Sequence, residues 1–470
     1  MPRTALLAIA ASLLSFVPAA AQNGGSTDPV AKEKAAAPDP LLSASEQASL
    51  RAKLIKYLEA DEIYMAATDA KDREKAGSKR SKAKEDFEKE WDRLGKKGDL
   101  LGSMPDMRAV FDNCFTVKRP SFSLNQLRKG VNKEDGVEFS FWVPKSYKPE
   151  NPMATVIALP GAVGGGKWDR AQDYFQKLFE KSSLANNNIV HVCQLPEGTE
   201  VDVPPDYTKE GAEVEELRRI GSVFSGFAET MNTLNVDRAR VFLDCSKGNS
   251  AFGLRFVTLF PDRFAGVILR DPVAVDELRL GSLSNVPVLL FKTADNGQVV
   301  DALAARLKAV NPEGVTLVDA TDAFPFKASN DFVEEWMGKQ RRRMTPLSVV
   351  IEPNHDRFNR AYWVDMHTVS PLLTSPADKK PRLEVTADRA SNRIDVKAVG
   401  VESFYLYLND ELVDLSKEFT VVVNGKAVTE KRTRSFSLMQ EGLLQRRDWD
   451  YLYPVVYHST VPTDPVEPKK

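Results

Sequence analysis

A chain of 470 residues, 42% hydrophobic and 28% charged, has the composition of a globular protein with apolar material for more than one core. Its formal net charge of -2 argues against nucleic acid or an anionic membrane surface as the main partner. Three cysteines, Cys114, Cys193 and Cys245, are too few for a disulfide framework, and an odd number leaves one thiol without an intramolecular partner.

The chain opens "MPRTALLAIAASLLSFVPAAAQ": Arg3, an apolar run from Ala5 to Val17, then small residues Ala19 and Ala21 before Gln22. This is the pattern of a secretory signal with cleavage after residue 21, and the run is too short to span a bilayer comfortably. Export from a bacterial cell is expected, to the periplasm or the medium, with no integral membrane segment after cleavage. No cysteine follows the small residues to carry a lipid. Residues 22–42 are rich in Ala, Pro and polar residues and read as a flexible linker.

Order is expected from Ser43, which forms a capping box with Glu46 ahead of Leu50, Leu54, Leu58 and Ile63 at helical spacing. A second helix covers "SKRSKAKEDFEKEWDRLG", with Phe87 and Trp91 on one face, so residues 43–113 read as a helical hairpin region lying against the next domain. Its lysines alternate with acidic residues, the pattern of a solvated face.

Residues 121–343 alternate β-rich runs with amphipathic segments, which implies an α/β class with a mostly parallel sheet covered by helices. Strands are expected at 137–143, 155–159, 189–193, 241–245, 265–269, 288–291 and 315–318, with helices at 168–183, 212–234 and 329–343. Residues 346–460 change character: short alternating runs, Asx-rich turns and the Asn424-Gly425 hairpin signal predict a small antiparallel β-sandwich or similar module. Residues 461–470, "VPTDPVEPKK", read as a disordered tail.

Four stretches in order carry a family resemblance: "FWVPKSYKPENPMATVIALPG", "NVDRARVFL", "FPDRFAGV" and "EEWMGKQRR". In these the central region resembles exported α/β-hydrolase esterases of the polyhydroxybutyrate-depolymerase and feruloyl-esterase kind. The resemblance implies an α/β-hydrolase fold with a serine nucleophile on a strand-to-helix elbow, an acid after a later strand, and a histidine base before the "EEWMGKQRR" helix.

At the elbow this chain reads Cys245-Ser246-Lys247-Gly248-Asn249 where such enzymes have G-x-S-x-G. Lys247 lies seven residues after Arg240 and fourteen before Pro261, which is the family's register for the serine, so the expected apex is Lys247. Taking Ser246 as nucleophile would put Asp244 at a crowded position two residues before it. The acid position falls on Asp295, in "VPVLLFKTADNG", and the base loop "VDATDAFPFKASND" holds no histidine. His355 is the substitute base if the β module folds back over the sheet edge, whereas His191 reads as a sheet-packing residue and His367 and His458 belong to the β module. The oxyanion loop "LPGAVGGGKW" keeps Gly161, Ala162, Gly164 and Gly165, but Pro160 stands where the family has His. Lys167 is followed by Trp168, so the loop is not a nucleotide-binding G-x-x-x-x-G-K-[ST] motif.

The sequence therefore favours a hydrolase-like protein that has lost its serine triad and serves in binding or assembly, with a small-molecule, ester or cell-envelope polymer ligand, no metal and no cofactor. The alternative is an active carboxylic-ester or carbohydrate-ester hydrolase using Ser246, Asp295 and His355. A third reading makes Lys247 a nucleophilic amine, against the commoner pairing of such a lysine with Asp244, Asp271 or Asp295.

Overall fold

The structure, a computed structural model, describes residues 39–131, 136, 138–160, 171–193 and 205–462. The signal segment, most of the linker, the glycine loop 161–170 and the end of the tail lie outside these. Among the described residues no helix is long and apolar enough to cross a membrane.

The N-terminal region is three helices: α1 (Ala44–Ala66), α2 (Ala70–Gly95) and α3 (Met104–Phe111). Ser43 caps α1 with the reciprocal Glu46 bonds expected of the capping box. Leu50, Leu54 and Leu58 are buried, but Ile63 is 60% exposed, because the apolar stripe ends one turn before the helix does. The hairpin's apolar face closes chiefly on a helix near the far end of the chain, described below, and not mainly on the neighbouring sheet.

That sheet follows: β1 (Arg128–Val131), β2 (Glu138–Trp142), β3 (Met153–Leu159), α4 (Ala171–Leu178), α5 (Ser183–Asn187), β4 (Ile189–Cys193), α6 (Ala212–Thr233), β5 (Val236–Ser246), α7 (Gly248–Leu259), β6 (Gly266–Arg270), β7 (Val288–Lys292), α8 (Gly297–Val310), β8 (Val315–Asp319) and α9 (Asn330–Lys339). The strand order is β1-β2-β4-β3-β5-β6-β7-β8. All pairings from β4 to β8 are parallel, while β1 and β2 add antiparallel strands at one edge. β3, β4 and β6 are buried and mostly apolar, and β5 is buried along nearly its whole length although it also carries charged residues, as in a sheet covered on both faces. One core lies between the sheet and α6, α7 and α8; the other lies under α4 and α9. β1 and α8 were not expected from the sequence. β1 is a four-residue edge strand with alternating half-buried positions, too short to declare itself.

Cys193 ends β4 and Cys245 is the last residue but one of β5, strands that β3 separates, and all three thiols are free and buried.

The C-terminal part holds β9 (Ser348–Ile351), β10 (Arg360–Ala361), β11 (Val364–Val369), β12 (Arg382–Asp388), β13 (Arg393–Val399), β14 (Val401–Leu408), β15 (Phe419–Val423), β16 (Lys426–Glu430), α10 (Phe436–Arg446) and β17 (Val455–Thr460). They form a four-stranded sheet, β10-β11-β14-β17, and a five-stranded sheet, β16-β15-β13-β12-β9, with one core drawing side chains from both. Asn424 (φ 48°) and Gly425 (φ 84°) make the expected two-residue turn between β15 and β16. Two features depart from the expectation of a small antiparallel module. β13 and β15 pair in parallel, because the chain crosses to the other sheet as β14 between them. The helix α10 is inserted before β17, with Phe436 and Met439 facing the N-terminal helices: Phe436 lies 4.7 Å from Trp91 and 5.4 Å from Phe87, ring centre to ring centre.

A buried charge network ties these parts together. Arg446 Nη2 of α10 donates to Asp262 Oδ2 beyond α7 at 2.6 Å. Arg342, following α9, donates to the backbone carbonyl of Asp262 and to Asp448 Oδ2 at 3.4 Å. Arg108 of α3 bonds Glu411 at 2.6 Å and Asp450 at 3.4 Å. Burial alone would raise the pKa of Asp262, but Arg446, Arg263 and Arg342 outweigh it and hold the carboxyl at about 2. Truncating one partner strands a buried charge, so Arg446→Met is expected to destabilise the protein by about 3–5 kcal/mol in urea unfolding at pH 7. A loss below about 1 kcal/mol would show that the network contributes nothing beyond the surface-pair range.

Candidate functional site

The strongest candidate sits where β5 ends. Ser246 is the last strand residue, Gly248 the first of α7, and Lys247 between them has φ 48° and ψ -131°. This combination lies outside the left-handed helical well and is strained for any residue with a Cβ. Its neighbours hold it. Lys247 N donates to Arg270 O on β6 at 3.0 Å, and Lys247 O accepts from Ser250 N at 2.8 Å. Asn249 Nδ2 donates to Pro160 O at the end of β3 at 2.5 Å. Two residues before the apex, Cys245 places its sulfur against Gly253 of α7, where any Cβ would collide with it. The small residue that lets strand and helix approach closely is therefore supplied by the helix.

The Lys247 ammonium lies 3.1 Å from Asp271 Oδ2 and 4.5 Å from the centre of the Phe324 ring. Asp271, itself at φ 55° just past β6, accepts at its other oxygen from Asn296 Nδ2 at 2.8 Å. Asn296 Oδ1 accepts from Thr293 N, which fixes the amide. The assembled array is thus Lys247, Asp271, Asn296 and Phe324. Beneath it Arg270 makes a wholly buried ion pair with Asp244 at 2.9 Å and donates to the carbonyls of Pro325 and Phe326, anchoring the segment that carries Phe324.

Ser246, Asp295 and His355, the triad of the alternative reading, stand in different surroundings. Ser246 is fully buried, against the phenol of Tyr174. Asp295 is exposed, and its neighbour Asn296 occupies the place behind the apex. Asn249 and Phe324 were not anticipated at all, because their contacts come from chain folding and not from spacing.

His355 lies in a different cluster, on the segment between β9 and β10. Its Nε2 is 3.9 Å from both Glu213 Oε1 and Glu216 Oε2 of α6, and its Nδ1 accepts from Arg357 N at 3.1 Å. Arg255 of α7 bonds Glu216 at 2.5 Å, Tyr207 donates to Glu216, and Arg357 pairs with Glu213 at 2.9 Å. Burial lowers the His355 pKa, helped by Arg255 and Arg357 and opposed by Glu216 and Glu213. His191 bonds Thr230 within the sheet core, and His367 and His458 flank Tyr405 on the outer β-sheet. No imidazole stands at the elbow. Gly161, Ala162, Gly164 and Gly165 lie outside the described residues. Among the described residues no group of three or more His, Cys, Asp or Glu side chains is placed to hold a metal ion.

No family model matches the chain, and no curated protein matches it. Solved structures do. A thermostable esterase is 17% identical over 46% of this chain and 63% of its own, with a TM-score of 0.31. The BES protein from Bacillus cereus is 15% identical over 47% of this chain and 97% of its own, with a TM-score of 0.33. An S-formylglutathione hydrolase from Staphylococcus aureus is 12% identical over 45% and 96%, with a TM-score of 0.32. The chain spans 63% of the thermostable esterase's length.

Two predictions follow from the site's geometry. Lys247→Ala keeps the strained backbone and loses the ion pair, whereas Lys247→Gly loses both, so the glycine variant should be the more stable by about 1–2 kcal/mol in chemical unfolding. The reverse order would mean that position 247 is unstrained. For His355, the unfolded chain takes up the proton near pH 6.5 while the folded protein resists it. Stability is therefore complete above that pH and declines as pH falls toward the depressed folded value. His355→Gln should flatten the decline in unfolding free energy between pH 6.5 and 5 relative to wild type, and an unchanged slope would remove His355 from the acid response.

Proposed function

We propose that the chain is an exported α/β-hydrolase-type protein whose elbow serves as a binding site and carries no serine hydrolase activity. One observation carries the reading: the residue in the strained apex conformation is Lys247, ion-paired to Asp271. A serine there would need an imidazole within hydrogen-bond reach, and none of the four histidines contacts the array.

An apex ammonium at the N-terminus of α7 suits a ligand bearing a carboxylate or a carbonyl. A cell-envelope polymer remains the partner suggested for the β module. The active-esterase reading through Ser246, Asp295 and His355 has no geometric support at Ser246, which is buried at the end of its strand.

The test uses the purified mature protein. It should turn over short-chain p-nitrophenyl esters no faster than a Ser246→Ala control, and a fluorophosphonate probe should leave Ser246 unlabelled. Labelling of Ser246 that vanishes in His355→Ala would restore the esterase. Secretion from a bacterial host should yield a mature chain beginning at Gln22 by mass spectrometry.

A further inference from the structure

A groove on the described surface lies away from the elbow, between the β1 edge of the sheet and the α4–α5 pair, with a volume of about 730 Å³. Its floor is aromatic and fixed. Trp142 donates its indole N–H to Ala185 O at 2.7 Å and lies 5.2 Å, ring centre to ring centre, from Phe175. Its walls are lined with carboxamides, Asn125 and Gln126 on one side and Gln172 and Gln176 on the other. These four side chains are exposed and make no hydrogen bond among the described residues, so each offers a donor pair and an acceptor to a ligand. The rim carries Arg128, Lys129 and Lys181 against the single carboxylate of Glu180.

A rigid indole floor with facing carboxamides suits a ring with an apolar face and many hydroxyls, and three cations against one anion suit a ring that also bears carboxylates. We propose that this groove binds an acidic oligosaccharide, a chain of uronic-acid-type sugars, independently of the elbow. Trp142 meets a sugar face, Gln172 and Gln176 bond its hydroxyls, and Lys129 and Lys181 pair with its carboxylates. The backbone prepares the site: Asn125 at φ 61° is pinned by its N–H to Val143 O at 2.8 Å, and Lys181 sits at φ 58° in the turn between α4 and α5.

Titration calorimetry of the full mature chain with trigalacturonate, maltotriose and citrate tests this. Trigalacturonate should bind, maltotriose at least about tenfold more weakly, and citrate not at all. Gln172→Ala combined with Gln176→Ala removes only exposed side chains of α4 and should weaken trigalacturonate binding about tenfold with an unchanged circular dichroism spectrum. Lys181→Gly, which keeps the left-handed backbone, should lower affinity and its salt dependence together. No heat with trigalacturonate at millimolar concentration would overturn the proposal, as would binding indifferent to the glutamine pair. Equal binding of citrate would reduce the groove to a cationic patch, and equal binding of maltotriose would remove the acidic requirement. Lys247→Ala should leave every one of these titrations unchanged, so failure here is distinct from failure at the elbow.

Discussion

Asp262 is the point at which the sheet, the connection that follows it and α10 converge. It lies in the short turn after α7, and its side chain and carbonyl accept from Arg446 of the C-terminal region and Arg342 of the connection between sheets. Both guanidiniums and the carboxylate are almost wholly out of water. Such charges are tolerable only when each finds its partners, so the relative placement of sheet, connection and α10 is fixed more tightly than apolar contact alone would fix it. Arg108 extends the same arrangement to α3 through Glu411 and Asp450.

The elbow is a local instance of the same logic. A strained residue persists where its surroundings leave it no alternative, and around Lys247 they do: β6 takes its N–H, α7 takes its carbonyl, and Asp271 takes its side chain. The apex thus presents a cation on a strained backbone.

Much of the sheet was legible in the sequence because buried parallel strands are short, continuous apolar runs bounded by turns, as at Ile189–Cys193. Lys247 was singled out by counting from Arg240 and Pro261 in the register of the resembling esterases, and it stands between β5 and α7. Less local features were not. The amphipathic pattern of α10, with Met439 and Leu443 buried, was hidden between a hairpin and a strand. Asn296 beside Asp295 turns on a single residue of register in a turn. The destination of His355 depends on how the segment after β9 lies across α6 and α7, which no local pattern encodes.

The contact between the N-terminal helices and α10 bears on the order in which the chain can assemble. Tyr57 accepts a hydrogen bond from Gln440, 383 positions further along, and Phe87 and Trp91 are covered by Phe436. During synthesis α1 and α2 therefore precede, by more than 300 residues, the helix that covers their aromatic stripe. Until α10 arrives the stripe is open to other chains. The charged outer face of α2, with its alternating lysines and glutamates, keeps that waiting hairpin in solution, so the composition of α2 answers to the time before folding is complete as much as to the folded state.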